Sequence, residues 1–100
     1  MPGGKGNLRL QQIIASTCRQ KILVALSETK ETHVTKLVRD INSTYNQVDR
    51  NLRILETEGI IKIGRYGHLR AIELNRENPR TMRLLKALKM LDKPETENPD

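Results

Sequence analysis

The sequence predicts an α+β fold that is mainly helical, in which a short first helix and three core helices are followed by a β-hairpin and an additional terminal helix. Three observations indicate this order. Capping residues precede apolar stripes with helical spacing, a glycine ends the most regular stripe before a β-rich stretch, and an Asn-Pro pair opens a last leucine-rich segment. Because 100 residues support one modest core, we expect a single domain over residues 8–91.

The two ends of the chain differ from the body in composition. Residues 1–7 are glycine-rich and residues 92–100 are acidic and contain two prolines, so we expect a flexible arm and a disordered acidic tail. The tail holds four of the 12 acidic residues and one of the 18 basic ones, which leaves residues 1–91 with a formal charge of +9. A body with this charge attracts polyanions, most commonly nucleic acid. A basic surface that only aids solubility is the alternative.

The first two helices are short. Three apolar residues at i, i+3 and i+4 predict a helix within residues 8–15, although a strand also fits. Ser16 or Thr17 can cap the second helix, which we expect to end near Ser27. A polar connector then leads to a short segment at residues 32–34 whose composition favours a strand.

The third helix is predicted to start at a Thr35 cap and to face the core with Leu37, Val38 and Ile41. Asn42 follows directly. Asparagine tolerates the left-handed backbone conformation that often ends a helix, so we expect a tight turn at this residue.

The fourth helix is the clearest in the chain. Thr44 and Gln47 have the spacing of a capping box, and an apolar stripe at i, i+4 and i+7 runs until Gly59. The stripe consists of Val48, Leu52 and Leu55. The opposite face is polar and contains Asn46, Gln47, Asp49, Arg50, Asn51 and Arg53.

A β-hairpin is predicted after this helix. Residues 60–63 and 69–74 have strand composition, and the turn between them contains Gly64 and Gly67. Its tip, residues 65–68, is basic and carries a tyrosine.

Residues 37–61 resemble the helix-turn-helix and wing entry of winged-helix repressors of the ArsR and MarR type. In that pattern a small helix ends at a turn, a Ser or Thr caps the recognition helix, and a leucine-rich stripe leads to an acid, a glycine and two aliphatic residues. The likeness extends over about residues 16–75. It implies a winged helix-turn-helix fold, with the helix-turn-helix at about 35–58, the wing at about 60–75 and the terminal helix at about 79–91.

The resemblance implies a sequence-specific, double-stranded DNA-binding transcriptional regulator whose recognition helix enters the major groove. Asn and Gln can pair with adenine and Arg with guanine, whereas an ordinary solvated helix surface is the alternative. Asp49 either accepts from a cytosine amino group or pairs with Arg53 four residues later. The candidates for base contacts are Tyr45, Asn46, Gln47, Asp49, Arg50 and Arg53.

The wing is expected to lie along the adjacent DNA backbone or in the minor groove, where the negative potential attracts arginine. A solvated turn is the alternative. Other basic residues can contact phosphates without reading sequence. The candidates for wing and phosphate contacts are Lys36, Arg39, Lys62, Arg65, Tyr66, His68 and Arg70.

The terminal helix is predicted to begin with Asn78 as cap and Pro79 in its first turn. Its leucines, with the apolar residues near the N-terminus, exceed what a small core needs, and proteins of this type commonly dimerise through terminal helices. We therefore expect a homodimer, with packing inside one chain as the alternative. The interface candidates are Leu10, Ile13, Ile14, Leu84, Leu85, Leu88 and Leu91.

Several other functions are disfavoured. The sequence has no Gly-rich phosphate loop, no interpretable Ser/His/Asp set and too few His and Cys residues for a metal site, so we expect no enzyme, cofactor or metal. Cys18, the only cysteine, fits a small core residue better than a redox sensor. The single cysteine and the lack of a membrane span or signal peptide predict a cytoplasmic protein without membrane association. With DNA binding, we expect it to be nucleoid-associated.

Two other functions remain open. One is a winged-helix interaction module of a transcription or replication assembly, which would dock a protein partner through the terminal helix. The other is binding of structured RNA, for which two tyrosines supply little base stacking.

Overall fold

A computed structural model describes residues 8–92 as five helices and a three-stranded antiparallel sheet, which confirms the predicted α+β, mainly helical fold. The helices are α1 (Leu10–Ile13), α2 (Thr17–Ser27), α3 (Val34–Asp40), α4 (Tyr45–Thr57) and α5 (Pro79–Asp92). The strands are β1 (Thr32–His33), β2 (Ile61–Tyr66) and β3 (Leu69–Leu74). The expected arm at 1–7 and the acidic tail from residue 93 onwards lie outside the described residues.

The sheet has the strand order β1-β3-β2, and its hairpin is longer than the sequence indicated. Gly64, expected in the turn, lies within β2 and pairs with Ala71. The turn itself consists of Gly67 and His68, and Gly67 has φ +64°. A two-residue hairpin loop needs such a positive φ to match the twist of its strands, which is why one glycine is sufficient there.

The predicted cap of α3 is wrong. The helix begins at Val34, His33 occupies the N-cap position without a side-chain hydrogen bond, and Thr35 is exposed within the first turn. The reason is tertiary, because Thr32 and His33 pair with β3 and the chain passes directly from this strand into the helix.

The other helix ends agree with the sequence in most details. Ser16, rather than Thr17, caps α2, since its Oγ accepts a hydrogen bond from the Arg19 N–H at 3.2 Å. Thr44 caps α4 in the same way through the Gln47 N–H at 3.2 Å. Asn42 has φ +55°, which confirms the left-handed turn between α3 and α4.

The core is aliphatic and continuous. The α4 stripe of Val48, Leu52 and Leu55 is fully buried, and it packs with α2 and α3 into one cluster. Cys18 packs against this cluster as a partly buried residue, as expected. No helix within residues 8–92 has the length and apolar character needed to cross a membrane.

Part of the expected dimer surface belongs instead to this core. Ile13, Leu84 and Leu88 are buried within the single chain, which corrects their assignment as interface residues. The physical reason is that α5 packs across α2, so its inward face covers the core of its own domain. The partly buried candidates that pack against the core are Leu10, Ile14 and Leu85. Leu91 is 61% exposed.

A buried carboxylate joins the start of the described chain to the first turn of α5. Glu58 accepts hydrogen bonds from the Leu8 N–H at 3.2 and 3.3 Å and from Arg80 Nη2 at 3.1 Å. Arg80 also donates to the carbonyl groups of Leu8 and Glu58. This Glu58–Arg80 clasp gives a structural role to the acid that follows the leucine stripe in the sequence.

Candidate nucleic-acid interface

The N-terminal half of α4 presents its polar face to solvent. Asn46, Gln47, Arg50 and Arg53 are exposed, and Tyr45 is 53% exposed. This exposure follows from the apolar stripe, because the stripe turns one side of the helix inward and leaves the opposite side free. The side chains available for contact with a ligand are therefore those that the sequence singled out, although their contacts with bases stay a prediction.

Asn51 is the exception on this helix. It is buried, with Oδ1 accepting from Arg19 Nη1 at 2.6 Å and Nδ2 donating to the Gln47 carbonyl at 2.8 Å. Arg19 also donates from Nε to the Ile13 carbonyl at 2.8 Å, so these two residues connect α1, α2 and α4. The sequence contained the clue, because Asn51 lies three residues after Val48 and one before Leu52, on the inward side.

Arg50 is one of the basic residues of this surface that have no partner in the described part of the chain. Within residues 8–92, its guanidinium makes no hydrogen bond or ion pair, and the same holds for the side chains of Asn46 and Arg39. By contrast, Lys36 is paired with Asp40 at 2.9 Å. Arg50 and Asn46 are therefore ready to bind an incoming group without breaking an existing contact.

Four side chains form a cluster between α4 and the hairpin, and we call them the Asp49 cluster: Tyr45, Asp49, Arg53 and Arg70. Arg70, on β3, donates from Nη1 to Asp49 Oδ1 at 2.8 Å and from Nη2 to Tyr45 Oη at 2.7 Å. Its guanidinium carbon also lies 5.9 Å from the centroid of the Tyr45 ring. Arg53 Nε donates to Asp49 Oδ2 at 3.1 Å.

The electrostatics of this cluster favour ionised Asp49. The hydrogen bond from Arg70, aided by the positive charge of Arg53, holds the pKa of Asp49 below its ordinary value, against an opposing effect of partial burial. The structure thus answers half of the question left open by the sequence, since Asp49 does pair with Arg53. The partnership with Arg70, which is 21 residues away, was not foreseen.

A second ion pair, with a longer distance, joins the hairpin to α4 further along the same surface. Arg65 pairs with Arg70 across the hairpin, and it approaches Glu56 of α4 at 3.4 Å. Glu56 follows Asp49 by seven residues, or two helical turns, so both carboxylates lie on the side of α4 that faces the hairpin. The two opposed arginines of the hairpin are therefore each paired with an acid of α4.

The hairpin tip is open to solvent. Tyr66 and His68 are exposed, as are Lys62 and Arg65, whereas Arg70 is partly buried by its contacts with α4. The ring of Tyr66 lies over Gly64, where an added Cβ would come within 3.0 Å of it. Gly64 thus leaves room for the tyrosine rather than forming the turn.

Metal-binding geometry is not found in the part of the chain that the structure covers. Among residues 8–92, no three His, Cys, Asp or Glu side chains are grouped so that they could hold an ion. The polar groups near α4 are mainly amides and guanidinium groups. They are donors suited to phosphate oxygens and base edges.

The helix-turn-helix of α3 and α4, the hairpin beside it and the covering helix α5 define a winged helix-turn-helix domain. No protein-family model and no curated protein sequence matches the chain. Solved structures do resemble it. The antimony-specific transcriptional repressor AntR superposes with a TM-score of 0.74 at 22% identity, covering 88% of this chain and 78% of AntR.

Two further structures give the same result. The transcriptional repressor BigR from Xylella fastidiosa has a TM-score of 0.72 at 20% identity, with 86% of this chain and 85% of BigR covered. A homodimeric winged helix-turn-helix DNA-binding domain from Mycobacterium bovis, a possible ArsR-family regulator, has a TM-score of 0.70 at 17% identity, covering 91% and 83%. At these identities the comparisons confirm the ArsR-like winged-helix fold that the sequence predicted.

Proposed function

We propose that this chain is a sequence-specific, double-stranded DNA-binding transcriptional regulator. The observation that carries the proposal is the exposed polar face at the start of α4, held beside a basic hairpin by Arg70. The major groove of B-DNA accepts one α-helix, and such a helix reads bases with residues of its first turns. The neighbours described as transcriptional repressors support this assignment.

The proposed DNA contacts are of two kinds: base contacts, which read sequence, and phosphate contacts, which orient the domain. Arg50 and Asn46 are the main candidates for base contacts, because both side chains are exposed and neither forms a hydrogen bond or ion pair within residues 8–92. Lys36, Arg39 and Lys62 lie at exposed positions suited to phosphate contacts, which orient the domain without reading sequence. The wing, with Arg65 and Tyr66 near its tip, would follow the adjacent backbone or enter the minor groove.

The protein is proposed to act as a homodimer. Support comes from the homodimeric domain of Mycobacterium bovis and from the apolar side chains that α5 exposes, namely Met82, Met90 and Leu91. A two-fold dimer would present its recognition helices to half-sites about 34 Å apart, one turn of DNA. The operator should then be pseudo-palindromic.

Selection of bound sequences from a random duplex library, followed by sizing of the complex, tests the proposal. We expect a symmetric enriched motif and two chains per duplex. Arg50→Ala should weaken binding to that motif by roughly ten- to a hundredfold, because a bidentate arginine–guanine contact contributes about 1–3 kcal/mol of discrimination. Lys36→Ala should instead weaken all sequences alike and reduce the salt dependence.

Arg76→Ala is the matched control for Arg50→Ala, since Arg76 is an exposed arginine in the loop between β3 and α5, outside both the proposed DNA surface and the proposed dimer surface. Equal losses for the two variants would show a general charge effect and contradict base reading. A monomer that binds no duplex at low salt would refute the proposal and favour a protein-interaction module docking through α5. Preference for RNA hairpins over duplex DNA at matched salt would also refute it.

A further inference from the structure

Asp49 is a carboxylate on the surface proposed to meet DNA, where a negative charge opposes binding. Both of its oxygens are occupied, Oδ1 by Arg70 and Oδ2 by Arg53. Its side chain is only 18% exposed. Each oxygen could accept a second hydrogen bond, but the two arginines and the low exposure leave little access for a cytosine amino group. Its geometry therefore fits restraint of the arginines better than base reading.

Arg70 is restrained most strongly. Its two terminal nitrogens point to Asp49 and Tyr45, both on the first turns of α4, and its side chain is 21% exposed. Because the guanidinium is held against α4 and is little exposed, few of its remaining N–H donors can reach a phosphate unless these contacts break. Arg53 is 75% exposed, so its charge remains near the surface but is partly neutralised by the same carboxylate.

We infer that Asp49 is a specificity-determining residue that suppresses sequence-independent DNA binding by holding Arg70 and Arg53 away from the phosphate backbone. This inference rests on the proposed function. Any duplex offers phosphates, and basic side chains that are free will bind them regardless of sequence. With Asp49 in place, the phosphates of a random duplex must compete with an intramolecular carboxylate and also meet its repulsion. Only a duplex whose base edges form hydrogen bonds with the exposed side chains of α4 compensates for that disadvantage.

Asp49→Asn is the direct test, because it removes the charge and keeps the shape and one acceptor oxygen. Binding to a duplex of random sequence is measured across a salt series. Release of one or two arginines should raise the affinity about three- to tenfold at low salt and steepen the plot of log affinity against log salt by roughly one to two units per chain. The ratio of affinities for the selected motif and the random duplex should fall correspondingly.

Glu28→Gln is the matched control. Glu28 is exposed at the end of α2 and makes no side-chain contact within residues 8–92, so its substitution changes the net charge equally. We expect less than a twofold effect on random-duplex binding. A gain as large as that of Asp49→Asn would attribute the effect to net charge and overturn the inference.

Arg70→Gln, made in both backgrounds, identifies the cation that is released. The loss of random-duplex affinity caused by Arg70→Gln should be at least threefold larger in the Asp49→Asn protein than in the wild type. The reason is that Arg70 is free to bind phosphate only when Asp49 is replaced. Equal costs would contradict sequestration of Arg70. Urea midpoints and helical circular dichroism identify any variant that is unfolded, and Asp49→Ser then replaces Asp49→Asn in the same comparison.

The outcomes separate this inference from the function on which it rests. If the wild type binds neither random nor selected duplex, the regulatory function is refuted. If the wild type selects a motif while Asp49→Asn binds random duplex no more tightly, the function stands and only the role of Asp49 is overturned.

Discussion

Disruption of the Glu58–Arg80 clasp should destabilise the fold by different amounts depending on which partner is removed. Glu58 has a side chain 4% exposed, whereas that of Arg80 is 29% exposed. Arg80→Met keeps most of the side-chain volume but leaves a buried carboxylate whose remaining donor is the Leu8 N–H. Glu58→Gln leaves a guanidinium that still reaches water and two backbone carbonyl groups.

The magnitudes follow from this asymmetry. Removing one partner of a fully buried ion pair costs about 3–5 kcal/mol, and the partial exposure of Arg80 lowers our expectation for Arg80→Met to about 2–3 kcal/mol. Glu58→Gln exchanges a charged hydrogen bond for a neutral one, which should cost about 1–2 kcal/mol. Both losses are a substantial part of the 5–15 kcal/mol that stabilises a typical domain.

Equilibrium urea unfolding, followed by circular dichroism at a fixed protein concentration, measures both losses. Arg83→Met is the control, because Arg83 is exposed on the same helix, and its substitution should change the free energy of unfolding by less than about 0.5 kcal/mol. If Arg80→Met cost no more than Glu58→Gln, the argument from unequal burial would be wrong. A loss equal to that of the control would remove the clasp as a source of stability altogether.

Two further predictions concern backbone strain and pH. Gly59→Ala should destabilise by about 1–2 kcal/mol in urea unfolding, because Gly59 has φ +78° and the new Cβ would lie 3.1 Å from Asn78 Nδ2; a neutral effect would contradict it. Because the pKa of Asp49 is lowered in the folded state, its ion pairs stabilise the fold above about pH 4 and are lost as the pH falls through that lowered pKa. The stability difference between wild type and Asp49→Asn, at most about 1 kcal/mol, should therefore shrink from pH 5 to pH 2 and not widen.

The parts of the fold that were predictable depend on short-range chemistry. The Thr44 cap, the left-handed Asn42 and the buried stripe of α4 each involve residues within a few positions of one another. Hydrogen bonds between a cap and its helix, backbone sterics and helical periodicity act over that range. The exposed polar face of α4 was predictable for the same reason, as the complement of its apolar stripe.

The errors arose where distant segments meet. Thr35 lost its capping position because β1 pairs with β3, some 40 residues later in the chain. Leu84 and Leu88 belong to the core because α5 packs across α2. Asn51 was the avoidable error, since its place beside the stripe already indicated burial.

The sequence by itself determined the helices, their main caps, the hairpin, the basic charge and the polar face of α4. The tertiary structure decided which charges neutralise one another: Asp49 with Arg70, and Glu58 with Arg80. An ion pair needs its two groups within about 4 Å, and this distance is set by the packing of helices and strands rather than by spacing along the chain. Hence local patterns predicted the surface, whereas only the folded chain indicated which of its arginines have no acidic partner within residues 8–92.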